Sequence, residues 1–224
     1  MYSVGNPVTR WTRINLAVTI NAVEILGAEY DALKSYITMQ NIDVAYSGGN
    51  GILIKNTQGV IVQNCNVTYV GGGIQSGTTL YGEGIEMNSY NVDTTIYNNT
   101  LNQIFEGAIS VQSNASTTVH RNINITYNTI TNAAVGFMYS NTDAGSTTDN
   151  IVFEHNSVSG IGYSSFEGKS WSSSIWSHLL FYEIAGTVTN PVVCRYNTFT
   201  GGNLISNPPV GTSTSAGAHY ERVS

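Results

Sequence analysis

The chain has 224 residues, of which only 10% are charged, and eight Lys plus Arg against fourteen Asp plus Glu give a formal net charge of −6. Globular domains average about 25% charged residues, so this surface takes its polarity from Asn, Ser, Thr, Gly and Tyr and offers no basic footprint for a nucleic-acid backbone. Hydrophobic residues at 41% suffice for a core and argue against wholesale disorder, while no apolar run reaches the ~18 residues that would span a bilayer.

Residues 1–34 read as irregular strands or a cap. Val18-Thr19-Ile20 and Val23-Glu24-Ile25 have strand composition, and Glu29 to Lys34 reads as a turn or a single helical turn. Met1 to Gly5 does not open a charged-then-apolar leader. From Ser35 to residue 206 the 3.6-residue period disappears, and short β-branched and aromatic runs alternate with Asn, Gly and Ser, which is strand and turn chemistry.

One phrase recurs there: an apolar residue, two variable residues, usually Asn, a small residue, then an apolar residue. It stands at Ile96 to Leu101, Ile125 to Ile130, Phe153 to Val158 and Cys194 to Phe199, with weaker copies at Val62 to Val67 and Met39 to Val44. The marker positions 42, 65, 99, 128, 156 and 197 are separated by 23, 34, 29, 28 and 41 residues. A minimum of 23 with irregular additions is no helical repeat. Short strands that bury a face only by stacking on their neighbours describe an all-β parallel solenoid of about six to eight coils. Adjacent coils lie ~4.8 Å apart, a spacing at which Asn99, Asn128, Asn156 and Asn197 can form a ladder of side-chain amides inside a turn. Residues 207–224 read as a loop and tail, and the whole of 1–224 as a single domain.

The two cysteines fall on the second and sixth recognised coils, so four spacings, about 19 Å, separate them. That exceeds the ~7 Å Cα limit for a disulfide, and both read as small buried hydrophobes.

The long step between Cys65 and Asn99 holds an insertion, Val70 to Glu86, that includes Gly82-Glu83-Gly84-Ile85-Glu86. Together with Tyr2 to Pro7, Asn41 to Ile52 and Ser177-His178-Leu179-Leu180-Phe181-Tyr182, it resembles bacterial right-handed parallel β-helix proteins of the pectate-lyase-like superfamily. The resemblance implies a single-stranded right-handed β-helix, a polysaccharide partner and an extracellular, virion or cell-surface location. That superfamily holds polysaccharide lyases, glycoside hydrolases, epimerases, tailspikes and adhesins, so fold alone does not select an activity. Two positions depart from its pattern: Glu83 stands where Asn is expected, and Glu106 where Asp is expected.

The acidic residues concentrate at this insertion. Glu83 and Glu106 each precede a glycine, Gly84 and Gly107, on adjacent coils, which predicts Cα atoms about 5 Å apart. Glu86 follows on the same strand. Two close carboxyls suit glycoside hydrolysis, because repulsion raises the pKa of one, the acid, and leaves the other ionised as nucleophile or base. Tyr81 would stack on or bond to sugar, with the insertion as a cleft wall. A lyase instead needs a base and cations, for which His120-Arg121, Lys169 and His178 are the candidates, with Ca²⁺ held by Glu83, Glu86 and Glu106. The hydrolase needs no cofactor or metal. Of the histidines, His178 is the better catalytic candidate, while His120-Arg121 reads as a loop pair and His155, at the repeat position of Tyr127 and Tyr196, as a flank of the amide ladder. Trp171 and Trp176, on a long loop, are candidate sugar-binding residues alongside Arg121 and Lys169. The leading expectation is therefore a glycoside hydrolase. The alternatives are a polysaccharide lyase and a non-catalytic glycan-binding spike or filament, which would associate into homo-oligomers or stack end to end.

Overall fold

The computed structural model describes residues 20–28, 33–77, 79–113, 118–161, 177–201, 205–206 and 218–220. Among them every regular element is a strand. The strands stack in parallel, coil upon coil: 23–45, 52–70, 85–104, 107–133, 135–159 and 177–200, followed by part of a seventh at Ile205–Ser206 and Ala218–Tyr220. Two expected boundaries move outward. Val23–Leu26 already belongs to the first coil, pairing with Ile52 to Lys55, and Ala218–Tyr220 pairs with Val192 to Cys194 within the stretch read as tail.

Alternation along each strand sends every second side chain inward, and the register turns these into columns. Val23, Ile52, Ile85, Ile109, Phe137 and Leu179 form one on the first side. Met39, Val62, Ile96, Ile125, Phe153 and Cys194 form a second. Val44, Val67, Leu101, Ile130, Val158 and Phe199 form a third. Nearly all are buried in one continuous core, where each large aliphatic side chain contributes about 1.5–3 kcal/mol.

The amide ladder lies between the second and third sides. Asn99 N–H donates to Asn128 Oδ1 at 2.9 Å, and Asn128 and Asn156 N–H donate to Asn156 and Asn197 Oδ1 at 2.8 Å. The side-chain Nδ2 groups of Asn99, Asn128 and Asn156 reach the same oxygens at 3.0–3.1 Å. Each buried amide thereby satisfies the backbone of a turn that has no ladder partner of its own. Outside it, Tyr127, His155 and Tyr196 stack at 5.0 and 5.2 Å between ring centroids, as the repeat predicts for His155.

Cys65 and Cys194 are both free and buried. Burial pushes the Cys194 thiol up to about 12, so it is inert at neutral pH.

The extra length of the step from Cys65 to Asn99 arises outside these columns. In the 34-residue step the excess forms an antiparallel hairpin, Gly73–Ser76 with Thr79–Tyr81, standing off the stack between the second and third coils.

Candidate functional site

On the first side, the residues alternating with the core column point outward: Glu24, Leu53, Glu86 and Ser110 in one row, Leu26, Lys55, Asn88 and Gln112 in the next. The hairpin rises beside the second to fourth coils and encloses a cleft of about 380 Å³ lined by residues that include Tyr81, Glu83, Glu86 and Glu106, with Asn50, Lys55, Asn88 and Gln112 around them. The insertion is thus a wall of the cleft, and it brings the three glutamates together.

Their registration differs from the sequence expectation by one residue. Ile85 pairs with Ile109, and Gly84 N–H donates to Gly107 O at 2.9 Å. Gly84 therefore lies over Ala108, Glu83 over Gly107, and Glu106 beside Gly82, whose carbonyl accepts from Glu106 N–H at 3.1 Å. Matching glycine to glycine overlooked Ala108, a second small residue that the fourth coil carries after its glycine. The pair is staggered rather than stacked.

Asn50 is the hub. Its Oδ1 accepts from Glu83 N–H at 2.8 Å, and its Nδ2 donates to Glu86 Oε2. Asn50 N–H in turn donates to Asn21 Oδ1 at 3.0 Å. Asn21, Asn50 and residue 83 thus form a second column of polar side chains, and Gly49-Asn50-Gly51-Ile52 and Gly82-Glu83-Gly84-Ile85 are its successive copies. Where the pattern predicts Asn, the longer Glu83 side chain extends instead across to the fourth coil and accepts from Ser110 Oγ and Gln112 Nε2.

Each glutamate is at least 90% buried, and burial is the largest cause of a raised pKa in all three. Glu83 goes well above the usual carboxylate range, pushed further by the charges of Glu86 and Glu106 and pulled back by its Ser110 and Gln112 donors. Glu106 rises to about 7: burial dominates, Gly82 N–H at 3.1 Å from Oε2 lowers it, and Glu86 raises it. Glu86 is raised by burial, but Asn88 Nδ2 at 2.7 Å, Asn50 and the Lys55 charge all favour its ionised form. The site thus separates its carboxyls into holders of protons and one best equipped to stay charged. Tyr81 is shifted upward by burial first, then by Glu86 and Glu24. Its phenol packs on Gly49, where a Cβ would lie 2.4 Å from the Tyr81 hydroxyl.

Other candidates lie elsewhere. His178 is three coils beyond Glu86, in the column of Gly84, Ala108 and Gly136, whose Cβ direction points inward at the start of each strand; its buried ring meets core Phe199 at 5.2 Å, on the core side and away from the cleft. His120-Arg121 is no loop pair but part of the strand Val119–Thr126. His120 is fully buried with Nε2 3.0 Å from Gln112 O, and desolvation lowers it to about 4. Arg121 is exposed on the following side, in register with Val92 and Asp149, away from the cleft. Lys169, Trp171 and Trp176 lie outside the described residues. Asn50, Lys55, Asn88 and Gln112 escaped the sequence reading, although the Gly-Asn-Gly-Ile copy marked Asn50. Among the described residues no group of three or more His, Cys, Asp or Glu side chains is arranged to hold a metal ion, and no helix is long and apolar enough to cross a membrane.

Searches of the curated proteins and of the solved structures return no match. The family model for the right-handed beta helix region matches residues 19–165, well over half of the chain and inclusive of the whole cleft. With the parallel coils, the inward columns and the amide ladder already in view, the chain belongs to the right-handed β-helix family.

Proposed function

We propose that this protein is a glycoside hydrolase acting on an extracellular polysaccharide, with Glu106 as general acid and Glu86 as its ionised partner. The observation that carries this reading is the convergence of Glu83, Glu86 and Glu106 on one open cleft, each in a different electrostatic setting. With a pKa of about 7, Glu106 holds a proton through the mildly acidic range and can release it to a departing glycosidic oxygen as the C–O bond breaks. Glu86 then attacks the anomeric carbon or takes the proton of the attacking water; the two routes retain or invert the anomer. Glu83, fixed by Ser110 and Gln112, stays neutral and limits the charge of the cleft. Tyr81 presents its ring and hydroxyl to the sugar from the hairpin wall. Membership of a pectate-lyase-like, carbohydrate-active branch is part of this proposal.

Reducing-sugar release from a polysaccharide panel tests it. Glu86→Gln and Glu106→Gln should each lower turnover about 10²–10⁴-fold, and unchanged release in both overturns the assignment. Product with the ultraviolet absorbance of an unsaturated sugar would instead identify a lyase, and glycan binding without turnover a binding spike.

A further inference from the structure

We propose that His120 and Asn91 are positioning residues for the cleft: from inside the stack they fix the backbone carbonyls of Gln112 and Asn88, whose side chains on the outer face hold Glu83 and Glu86. The kinetic consequence rests on the hydrolase reading. The geometric consequence does not.

From the second to the fifth coil, Thr57, Asn91, His120 and Thr148 lie in register, and all four are fully buried. They make a third column of polar side chains. Asn91 Nδ2 donates to Asn88 O at 2.8 Å, and His120 Nε2 donates to Gln112 O at 3.0 Å. Asn88 pairs with Gln112, and Asn91 with His120, so these are one bond repeated a coil apart. Each residue so held turns its side chain to the cleft. Asn88 Nδ2 donates to Glu86 Oε1 at 2.7 Å, and Gln112 Nε2 to Glu83 Oε1. Thr57 Oγ1 donates to Asn91 Oδ1 at 2.9 Å and steadies that amide in turn. The hold on Asn88 is needed because the strand register shifts between Asn88 and Asn91, where ladder pairing is interrupted.

The column changes with what lies outside it. On the second and fifth coils the outward residues in register with Asn88 and Gln112 are Lys55 and Ser140, and there the column carries Thr. Thr57 bonds to Asn91, and Thr148 accepts from Asn141 Nδ2 at 3.4 Å. The side chains that grip a carbonyl thus stand on the two coils whose next outward residue donates to a glutamate. His120 is the more telling of them. A carbonyl can only accept, so the imidazole proton sits on Nε2. Desolvation lowers the ring to about 4 and keeps it neutral, and Nδ1 has no partner among the described residues. The polar contribution of this buried ring is therefore the single bond to Gln112.

The test takes its variants from the column. His120→Thr and Asn91→Thr install the residue that the second and fifth coils carry there, and His120→Gln restores an amide donor the same number of bonds from the backbone as Nε2. Carboxyl carbon-13 shifts of Glu83 and Glu86 are followed by NMR between about pH 4 and pH 10. The titratable neighbours are Glu86 and Glu106 for Glu83, and Glu83, Glu106, Tyr81 and Lys55 for Glu86. Donation from Gln112 and Asn88 favours the ionised carboxylates. His120→Thr should therefore raise the Glu83 midpoint by about half a pH unit or more, and Asn91→Thr the Glu86 midpoint, while His120→Gln returns the parent curve. With polysaccharide, both Thr variants should lower kcat about 10-fold at unchanged KM. An unmoved Glu83 midpoint in His120→Thr, or a Gln variant that behaves like the Thr one, makes His120 a corner staple and overturns the proposal. If His120→Thr does not fold, an unmoved Glu86 midpoint in Asn91→Thr overturns it alone. Shifted midpoints in a protein that cleaves no polysaccharide would leave the positioning intact and refute hydrolysis. Unmoved midpoints in a protein whose turnover needs Glu86 and Glu106 would do the reverse.

Discussion

The thiol of Cys65 reaches Met39 O at 3.9 Å, in the preceding coil. In the same geometry the amides of Asn99, Asn128, Asn156 and Asn197 reach Val62, Ile96, Ile125 and Phe153 carbonyls at 2.8–3.0 Å. Cys65 is therefore the ladder's weak rung. Cys65→Asn replaces a long sulfur contact by an amide bond and should stabilise the fold by about 1 kcal/mol, seen as a raised melting temperature. Asn128→Ala removes the acceptor of Asn99 N–H and Nδ2 as well as the donor to Ile96 O. At ~1–3 kcal/mol for each buried group left unsatisfied, it should lower the melting temperature steeply. The ladder was legible in the sequence because one residue type repeats at one place in the turn. The pH response of the site was not, since it depends on burial. Glu106 has the ordinary value of 4.5 when exposed and about 7 in the fold. Below 4.5 both states are protonated and no penalty arises; between 4.5 and about 7 only the unfolded chain ionises, so stability falls as pH rises, and above 7 the loss is complete. With about 1.4 kcal/mol for each pKa unit, it totals roughly 3 kcal/mol. Denaturant melts at pH 5 and pH 8 should show Glu106→Gln nearly neutral at the first and stabilising at the second.

Each coil turns its corners with residues in the left-handed region. Tyr36, Gly59, Asp93, Asn122 and Asn150 make one column, with φ between 54° and 68°. Asn41, Asn64, Asn98, Tyr127, His155 and Tyr196 make a second, and Tyr46, Tyr69, Gln103, Asn132, Gly160 and Gly201 a third. The columns are five residues apart, as Tyr36, Asn41 and Tyr46 show, so that three-residue strands alternate with two-residue corners. Only the second column had been visible, and only through the Asn that follows it. The other two pass through Tyr, Gln, Asp, Asn and Gly, and no single residue type announces them, although Asn and Gly tolerate the conformation best. The hairpin is anchored with less tolerance. Gly82 has φ +139°, and a Cβ on it would lie 2.1 Å from Gly71 Cα. Gly82→Ala should therefore displace Glu83 and the Gly82 N–H that Glu106 accepts, lowering turnover more than 10-fold; a variant with normal turnover would show that the hairpin base does not set the carboxyl geometry. The insertion itself was legible as excess length, whereas the one-residue stagger of Glu83 and Glu106 was hidden by Ala108.

At the scale of the molecule, the stack and the cleft depend on different parts of the chain. The shortest step, from Asp43 to Asn66, closes a coil in 23 residues, and the step from Cys65 to Asn99 takes 34. The difference is spent on the hairpin and its flanks, outside the inward columns. Replacing residues 73–81 by a short turn should leave the melting temperature within a few degrees of the parent while abolishing turnover, because Tyr81 and the outer wall go but the core columns remain. Collapse of the fold in that variant would show that the hairpin supports the stack as well as shaping the site.

The left-handed corners carry a consequence for how such a chain can lengthen. Because each of the first five storeys is closed by its own trio of bends and the third to sixth are joined by one amide apiece, a duplicated storey from the middle of the stack inherits a complete set of joints, so descent with copying can add height without redrawing the plan. A single inserted residue within a side would instead rotate its apolar partners out to solvent. Variation is thereby channelled toward the gaps between storeys, where the acidic recess of this protein was built.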